Sequence, residues 1–394
     1  MKWSNKGKEL ELKAKLFVEQ FKSRTGVYLF GAGMLGEEAR CVLEHFAVFE
    51  GYIDNSVKKQ TEGFNGSNVL ALKDFLNKNE YAWIVVTASE TNEKDICYQL
   101  ENAGLCEGKD FFRFRQFMDD VFPLVSFYHY NELFVELAQI CLTERCTLKC
   151  KKCAHGCFNV SSLKTDLSVE FMKESADVFF SRFDFVKEFV LIGGEPFLYK
   201  EIKAVISYIG ENYRNRMGMF SITTNGTILP DKEVVSLCTK YDMTLRVSDY
   251  SDTLPHLKKN YDLLYQRFSK NKVMVWKTAG KDSWFDYGFG KIDRGNEKQK
   301  LIHVFEQCKT PCREIRGSKY YYCVMARSVS ENLGMHVGED DYIDLNEIND
   351  RNLLLEFQMG FSDKGYLDMC RFCRGAEAKN HLIPAAEQLG GKKE

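Results

Sequence analysis

Cys146, Cys150 and Cys153 stand together in the stretch Cys146-Thr-Leu-Lys-Cys150-Lys-Lys-Cys153, directly after the apolar run Leu137 to Leu142. Three thiolates on one tight loop can hold three irons of a cubic 4Fe-4S cluster and leave the fourth iron open. The loop alone leaves a second use open, a zinc knuckle closed by Cys157 or His155, since zinc takes four Cys or His ligands. The chain has 14 cysteines, four of them from Cys146 to Cys157 and five from Cys308 to Cys373. So uneven a distribution in a large chain points to metal ligation in a reducing compartment rather than to a disulfide framework. Cys41, Cys97, Cys106, Cys141 and Cys238 are scattered through apolar segments and read as small buried hydrophobes.

The surroundings of the loop read as α/β. With 394 residues the chain can form two or three domains. Val27 to Phe30, Val48 to Ile53 and Ala82 to Thr87 are expected strands, alternating with helices at Glu37 to Phe46, Ala71 to Asn77 and Glu93 to Ala103, which makes half of a Rossmann-type parallel sheet. From Glu136 the alternation restarts, with strands near Leu137–Leu142, Phe185–Ile192, Met219–Thr224, Thr244–Val247 and Val273–Trp276. Repeated βα units of this kind close into a full or partial barrel with chemistry at the C-terminal strand ends. After about Lys281 the regularity gives way to Gly, aromatic and Cys residues. The expected organisation is an N-terminal helix (1–24), a Rossmann-like domain (25–118), a partial (β/α)6 barrel (125–300), a small C-terminal metal-cluster domain (301–380) and a tail (381–394).

Lys and Arg number 54 against 56 Asp and Glu, so there is no basic footprint of the kind nucleic acid requires. Residues 1 to 21 mix Lys with Glu and no stretch offers 18 apolar residues, so neither leader nor membrane span is expected and the chain reads as cytoplasmic.

What separates the two uses of the loop is Leu191-Ile-Gly193-Gly194-Glu195-Pro196 at the end of the next expected strand. Two glycines let backbone come close to a ligand, and a carboxylate beside them can pair with an ammonium group. A zinc knuckle has no use for this. Over roughly 137–373 the sequence resembles the radical S-adenosylmethionine superfamily, whose marks are a C-x3-C-x2-C loop after the first strand and a Gly-Gly-Glu-Pro strand end. The resemblance implies that Cys146, Cys150 and Cys153 hold a 4Fe-4S cluster, and that Gly193, Gly194, Glu195 and Pro196 receive S-adenosylmethionine. It also implies that Asn225 in Thr223-Thr-Asn225-Gly226 and Ser248 in Val247-Ser248-Asp249 lie near the ligand's carboxylate and ribose. Reductive cleavage would then give a 5′-deoxyadenosyl radical that abstracts a substrate hydrogen, with an external one-electron reductant such as flavodoxin or ferredoxin as partner. Lys152 stands where the family often has an aromatic residue, and its charge is expected to be free to offset the thiolates.

Cys308-x3-Cys312, Cys323 and Cys370-x2-Cys373 are similar to the twitch domain, a short form of the SPASM extension. This implies one auxiliary 4Fe-4S cluster, with a structural zinc site as the alternative. Five thiols exceed the four ligands a cubane needs, so one of Cys308 and Cys312 is expected to ligate and the other to be spare, either inert or a hydrogen donor to a substrate radical. In the N-terminal region, Gly31, Gly33 and Gly36 lie between a strand and a helix and Asp54 ends the next strand, an arrangement suited to a nucleotide. That region is similar to Rossmann-like domains found beside enzymes of sugar modification, some of which bind no nucleotide. The leading expectation is dehydrogenation or epimerisation of a carbohydrate or nucleotide-linked small molecule. The alternatives are a maturase of a ribosomal peptide and a non-enzymatic iron-sulfur redox protein.

Overall fold

The computed structural model describes all residues except 1, 4–7, 79–80, 279–282, 309, 311, 336–337 and 391–394. Lys281 and the last four residues of the expected tail therefore lie outside the described residues. Contacts divide the chain into two units, Gly7–Glu136 and Met1–Lys6 with Leu137–Glu394. The sequence had placed this change between residues 118 and 125. The helical run Phe114–Tyr130 crosses that interval without a break.

In the first unit, helix α1 (Lys8–Lys22) buries Leu10, Ala14, Val18 and Phe21, one stripe at helical spacing. Then come β1 (Val27–Phe30), α2 (Met34–His45), β2 (Phe49–Ile53), β3 (Val69–Leu70), β4 (Trp83–Val86), α3 (Glu90–Asn102) and β5 (Phe111–Arg113). The sheet runs in the order β3-β2-β1-β4-β5, all parallel. It has five strands where the sequence showed three, because β3 and β5 are too short to carry a readable period. Every residue of β1 and β4 is buried, as central parallel strands covered on both faces must be.

The second unit is built on β6 (Phe134–Thr143), α4 (Val169–Arg182), β7 (Phe185–Gly193), α5 (Ile202–Tyr213), β8 (Met217–Thr224), α6 (Lys232–Lys240), β9 (Met243–Ser248), α7 (Lys258–Lys270) and β10 (Met274–Thr278). All five expected strands are present at the expected places. The Ser168 hydroxyl caps α4 by accepting from Phe171 N–H, and Asp231 caps α6 by accepting from Val234 N–H. Further on lie β11 (Ser283–Phe285), α8 (Lys298–Glu306), β12 (Arg313–Arg316), β13 (Lys319–Tyr321), α9 (Val324–Leu333), β14 (Tyr342–Asp344), α10 (Arg351–Gln358) and β15 (Leu382–Pro384). One eight-stranded sheet runs β10-β9-β8-β7-β6-β12-β13-β14. Strand β12 lies parallel to β6, with Arg313 to Ile315 opposite Ala138 to Ile140, and β13 and β14 continue antiparallel. The segment expected as a separate small domain at 301–380 thus adds its strands to the sheet that carries the cysteine loop.

Fully buried Arg327 on α9 fastens this extension. Its guanidinium pairs with Glu144, just past β6, and with Glu314 on β12. Asn332 donates to Glu144 at 2.9 Å and Gln139 to Glu314 at 3.2 Å. Buried charges tolerate the interior when they are paired and hydrogen-bonded in this way.

Candidate cofactor and metal site

The C-terminal ends of β6 to β9 open onto a cavity of about 370 Å³. Its walls include Cys146 and Cys153 from the loop, Gly193 and Gly194 from the end of β7, Asn225 after β8 and Ser248 at the end of β9. A far wall is aromatic, made of Tyr250, Trp284, Phe285 and Tyr287. Sequence reasoning singled out none of these four; Trp284, Phe285 and Tyr287 lie among the irregular residues after β10, and Tyr250 just after β9.

The loop is pinned by the neighbouring strand end. Gly194 N–H donates to Thr143 O at 2.8 Å and Glu195 N–H to Arg145 O at 2.9 Å. A Cβ on Gly193 would stand 2.5 Å from Thr143 O, and one on Gly194 would stand 2.3 Å from Arg145 O and 2.8 Å from the Cys146 Cβ. The glycines are therefore demanded by the approach of the two chains, before any ligand is considered.

Glu195 and Pro196 do not stand among the described cavity walls. The Glu195 carboxylate is fully buried and accepts from the Thr224 hydroxyl at 2.8 and 2.9 Å, Asn225 N–H at 2.9 Å and Phe197 N–H at 3.2 Å. Burial pushes it up to about 7 despite these donors. It ties the ends of β7 and β8 together, and Pro196 opens the short turn it caps. Both residues thus support the strand ends that border the cavity and do not themselves line it.

Asn225 is placed doubly: its Oδ1 accepts from Thr227 N–H at 3.0 Å, which turns Nδ2 toward the Cys146 sulfur at 3.4 Å and Thr147 Oγ1 at 3.2 Å. Leu148 N–H also faces the Cys146 sulfur at 3.4 Å. Burial raises the Cys146 thiol to about 11 and the Cys150 thiol to about 12, while the Cys157 S–H hydrogen-bonds Cys153 and draws its thiol down to about 6. His155, also in the cavity wall, is pushed down to about 4 by burial and by Arg327. Lys152 adopts a left-handed backbone with φ 60°, and its ammonium lies 3.5 Å from Asp286, so its charge is not free as the sequence suggested.

The second cysteine set gathers near Tyr287 of the aromatic wall. Burial pushes the Cys323 thiol up and nearby Cys308 and Cys373 push it further; Cys308 acts likewise on Cys373, and Cys373 on Cys370. Burial raises the Tyr287 hydroxyl as well, and its next largest influences are Cys373, Cys308, Cys312 and Cys323. Tyr287 thus lines the cavity and lies near the second set. Val324 N–H donates to Cys312 O at 3.2 Å and Gly375 N–H to the Cys373 sulfur at 3.3 Å, while Cys323 is the N-cap of α9.

All 14 cysteines are free thiols, and among the described residues no three Cys, His, Asp or Glu side chains form a ready-made ion shell. The donor set nevertheless fits an iron-sulfur cluster: thiols from one loop, with N–H groups aimed at sulfur, which favour thiolate. The second set offers the same donor chemistry from three segments: five thiols, with Gly375 N–H aimed at the Cys373 sulfur and Cys323 at the N-terminus of α9.

In the first unit a cavity of about 420 Å³ lies at the ends of β1, β2 and β4, lined by Gly31, Ala32, Gly33, Asp54 and Lys59 among others. Gly31 has φ 126° and a Cβ there would stand 2.4 Å from Thr87 O. Gly36 is set by packing instead, since its Cβ would meet Gly31 O at 2.5 Å. The Asp54 carboxylate accepts from Ala32 N–H at 2.9 Å, Ser56 N–H at 2.8 Å and the Lys59 ammonium at 2.8 Å. It thus fastens the glycine loop to β2.

Residues 140–248, which include the Cys146–Cys153 loop and the ends of β7 and β8, match the Radical SAM superfamily. Among solved structures the chain is similar to anSMEcpe with bound AdoMet (20% identity over 36% of this chain and 42% of that one, TM-score 0.30). It is also similar to Streptococcus suis SuiB bound to the precursor peptide SuiA (18% identity, 57% and 46%, TM-score 0.31), and to BtrN in complex with AdoMet and 2-DOIA (15% identity, 63% and 98%, TM-score 0.39). The match spans less than half the length of the first two. No curated protein sequence matches the chain.

Proposed function

We propose that this chain is a radical S-adenosylmethionine enzyme that dehydrogenates or epimerises a carbohydrate or nucleotide-linked small molecule. The observation that carries the proposal is the single cavity in which two thiols of the Cys146–Cys153 loop face the Gly193–Gly194 backbone, Asn225 and Ser248. Cys146, Cys150 and Cys153 would hold the 4Fe-4S cluster, which when bound supplies the electron that splits the sulfonium of S-adenosylmethionine into methionine and a 5′-deoxyadenosyl radical. This chain's share is to bind and orient. Gly193 and Gly194 offer backbone carbonyls to an ammonium, Asn225 and Ser248 offer polar groups, and the aromatic wall excludes water from the radical's path. Tyr250, Trp284, Phe285 and Tyr287 beside Ser283 and Asn225 also suit a polyhydroxylated ring, apolar on its faces and hydrogen-bonding at its rim.

Cys323, Cys370, Cys373 and one of Cys308 and Cys312 would hold an auxiliary cluster near Tyr287, where it can accept the second electron of a dehydrogenation. The remaining thiol would be either inert or the hydrogen donor of an epimerisation. The 420 Å³ cavity of the first unit is read as a nucleotide or sugar-nucleotide site whose ligand would share Lys59 with Asp54.

Anaerobically reconstituted protein is expected to hold about eight irons, falling to about four when Cys146, Cys150 and Cys153 are replaced together. It should release 5′-deoxyadenosine from S-adenosylmethionine. In heavy water, product that gains one solvent deuterium marks epimerisation, and Cys308→Ala or Cys312→Ala should abolish that label; product that loses two hydrogens marks dehydrogenation. A preparation that binds zinc alone ends this reading, and turnover of a precursor peptide in place of a small molecule replaces the substrate class.

A further inference from the structure

The chain after β15 has no part in the reading above, yet it lies along the cysteine loop as an antiparallel bridge. Cys150 is paired with Gln388. Lys151 N–H donates to Glu387 O at 2.6 Å and Leu389 N–H to Lys149 O at 2.8 Å. The Lys151 ammonium meets the Glu387 carboxylate at 2.6 Å. Ala386 is fully buried with Cys150 and Leu254, and its φ of 55° is one that a residue with a Cβ rarely adopts.

The Gln388 side chain turns back into this bridge. Its Oε1 accepts from Lys149 N–H at 2.7 Å, and its Nε2 donates to the Cys150 sulfur at 3.2 Å and to Ala386 O at 2.6 Å. A backbone N–H can only donate and a carbonyl can only accept, so these two partners fix which end of the amide faces sulfur. That end is the N–H.

We infer that Gln388 is a positioning residue for the cluster that Cys146, Cys150 and Cys153 would hold, fixing the Cys150 sulfur and setting the cluster's reduction potential through an N–H···S hydrogen bond. The inference rests on the cluster assignment under Proposed function. An N–H aimed at a ligand sulfur stabilises the more negative, reduced state and so raises the potential. A segment that merely covered the loop would need no donor at this position.

The test uses the full chain, reconstituted anaerobically, as wild type, Gln388→Met, Gln388→Glu and Glu387→Ala. Iron per chain is counted, and the midpoint potential is followed by the EPR signal that disappears in the Cys146/Cys150/Cys153 variant. The expected result is unchanged iron in all three, a shift to more negative potential in Gln388→Met, a larger one in Gln388→Glu, whose carboxylate keeps the acceptor for Lys149 but loses the donor, and none in Glu387→Ala. Full iron with an unshifted potential and signal in Gln388→Met overturns the inference. So does an equal shift in Glu387→Ala, or loss of iron from both Gln388 variants, which would make the segment a cover for the loop and no more. Wild-type protein that takes up no iron fails at the cluster assignment itself, and this inference fails with it.

Discussion

A carboxylate inside a protein needs partners for its lone pairs, and Glu195 finds them in Thr224, Asn225 and Phe197. Glutamine has the same shape but one acceptor oxygen in place of two, so its NH2 would confront at least one of those donors. Glu195→Gln is expected to lose about 1–3 kcal/mol of stability, read as a lower urea midpoint in iron-free protein. Were Glu195 only the charge partner of an ammonium, the midpoint would hold and cofactor affinity alone would fall. The motif announced where this residue would be, at a strand end beside the cysteine loop. It could not announce what the carboxylate touches, because Thr224 and Asn225 are 29 and 30 residues away. Asp54 shows the same division: its place after β2 was legible, and its bonds to Ala32 and Lys59 were not.

At the scale of elements, strands were legible where burial is continuous. β7 is buried at eight of its nine positions and is apolar in sequence save for Lys187 and Glu188. β12 was missed because Arg313-Glu-Ile-Arg316 has one apolar residue in four. It is a strand because distant groups satisfy its charges: Glu314 meets Arg327, and the Arg313 guanidinium stacks 3.6 Å over the Tyr322 ring. The contact between β7 and the loop before Cys146 also carries a prediction. Gly194→Ala places a methyl 2.3 Å from Arg145 O, and since backbone cannot yield as a side-chain tip can, the loop must shift. The expected outcome is loss of the four irons assigned to Cys146, Cys150 and Cys153 while those of the second set remain, checked by iron content and Mössbauer spectra. Retention of all iron would show that the loop tolerates displacement.

For the molecule as a whole, three buried carboxyls, Glu195, Asp341 and Glu314, contribute a pH dependence, burial raising Glu314 to about 7 as well despite Arg327. Burial raises Glu195 and Asp341 to about 7, only partly countered by N–H groups of Asn225 and Phe197 in one case and Met369 and Asp368 in the other. Between the ordinary carboxyl range and pH 7 the folded chain keeps protons that the unfolded chain has released, so stability is greatest at the acid end and is lost as pH rises through about 7. Each group contributes on the order of 3 kcal/mol. His155 and Cys153, both held below their ordinary values, act in the opposite sense over part of this range, so the carboxyl effect is read as a difference. The urea midpoint of iron-free wild type is expected to fall relative to that of Asp341→Asn from pH 5.5 to pH 8; a constant difference counts against the assignment. Which part of the chain meets which was the least legible property of all, and the bridge between Gln388 and Cys150 spans 238 residues. That span has a consequence in time. A ribosome adding roughly 5–20 residues per second makes the cysteine loop roughly 10–50 s before it makes the segment that clamps it. Throughout that interval the loop exists without its clamp, so any iron delivered to the nascent chain would meet thiols held differently from those of the finished protein.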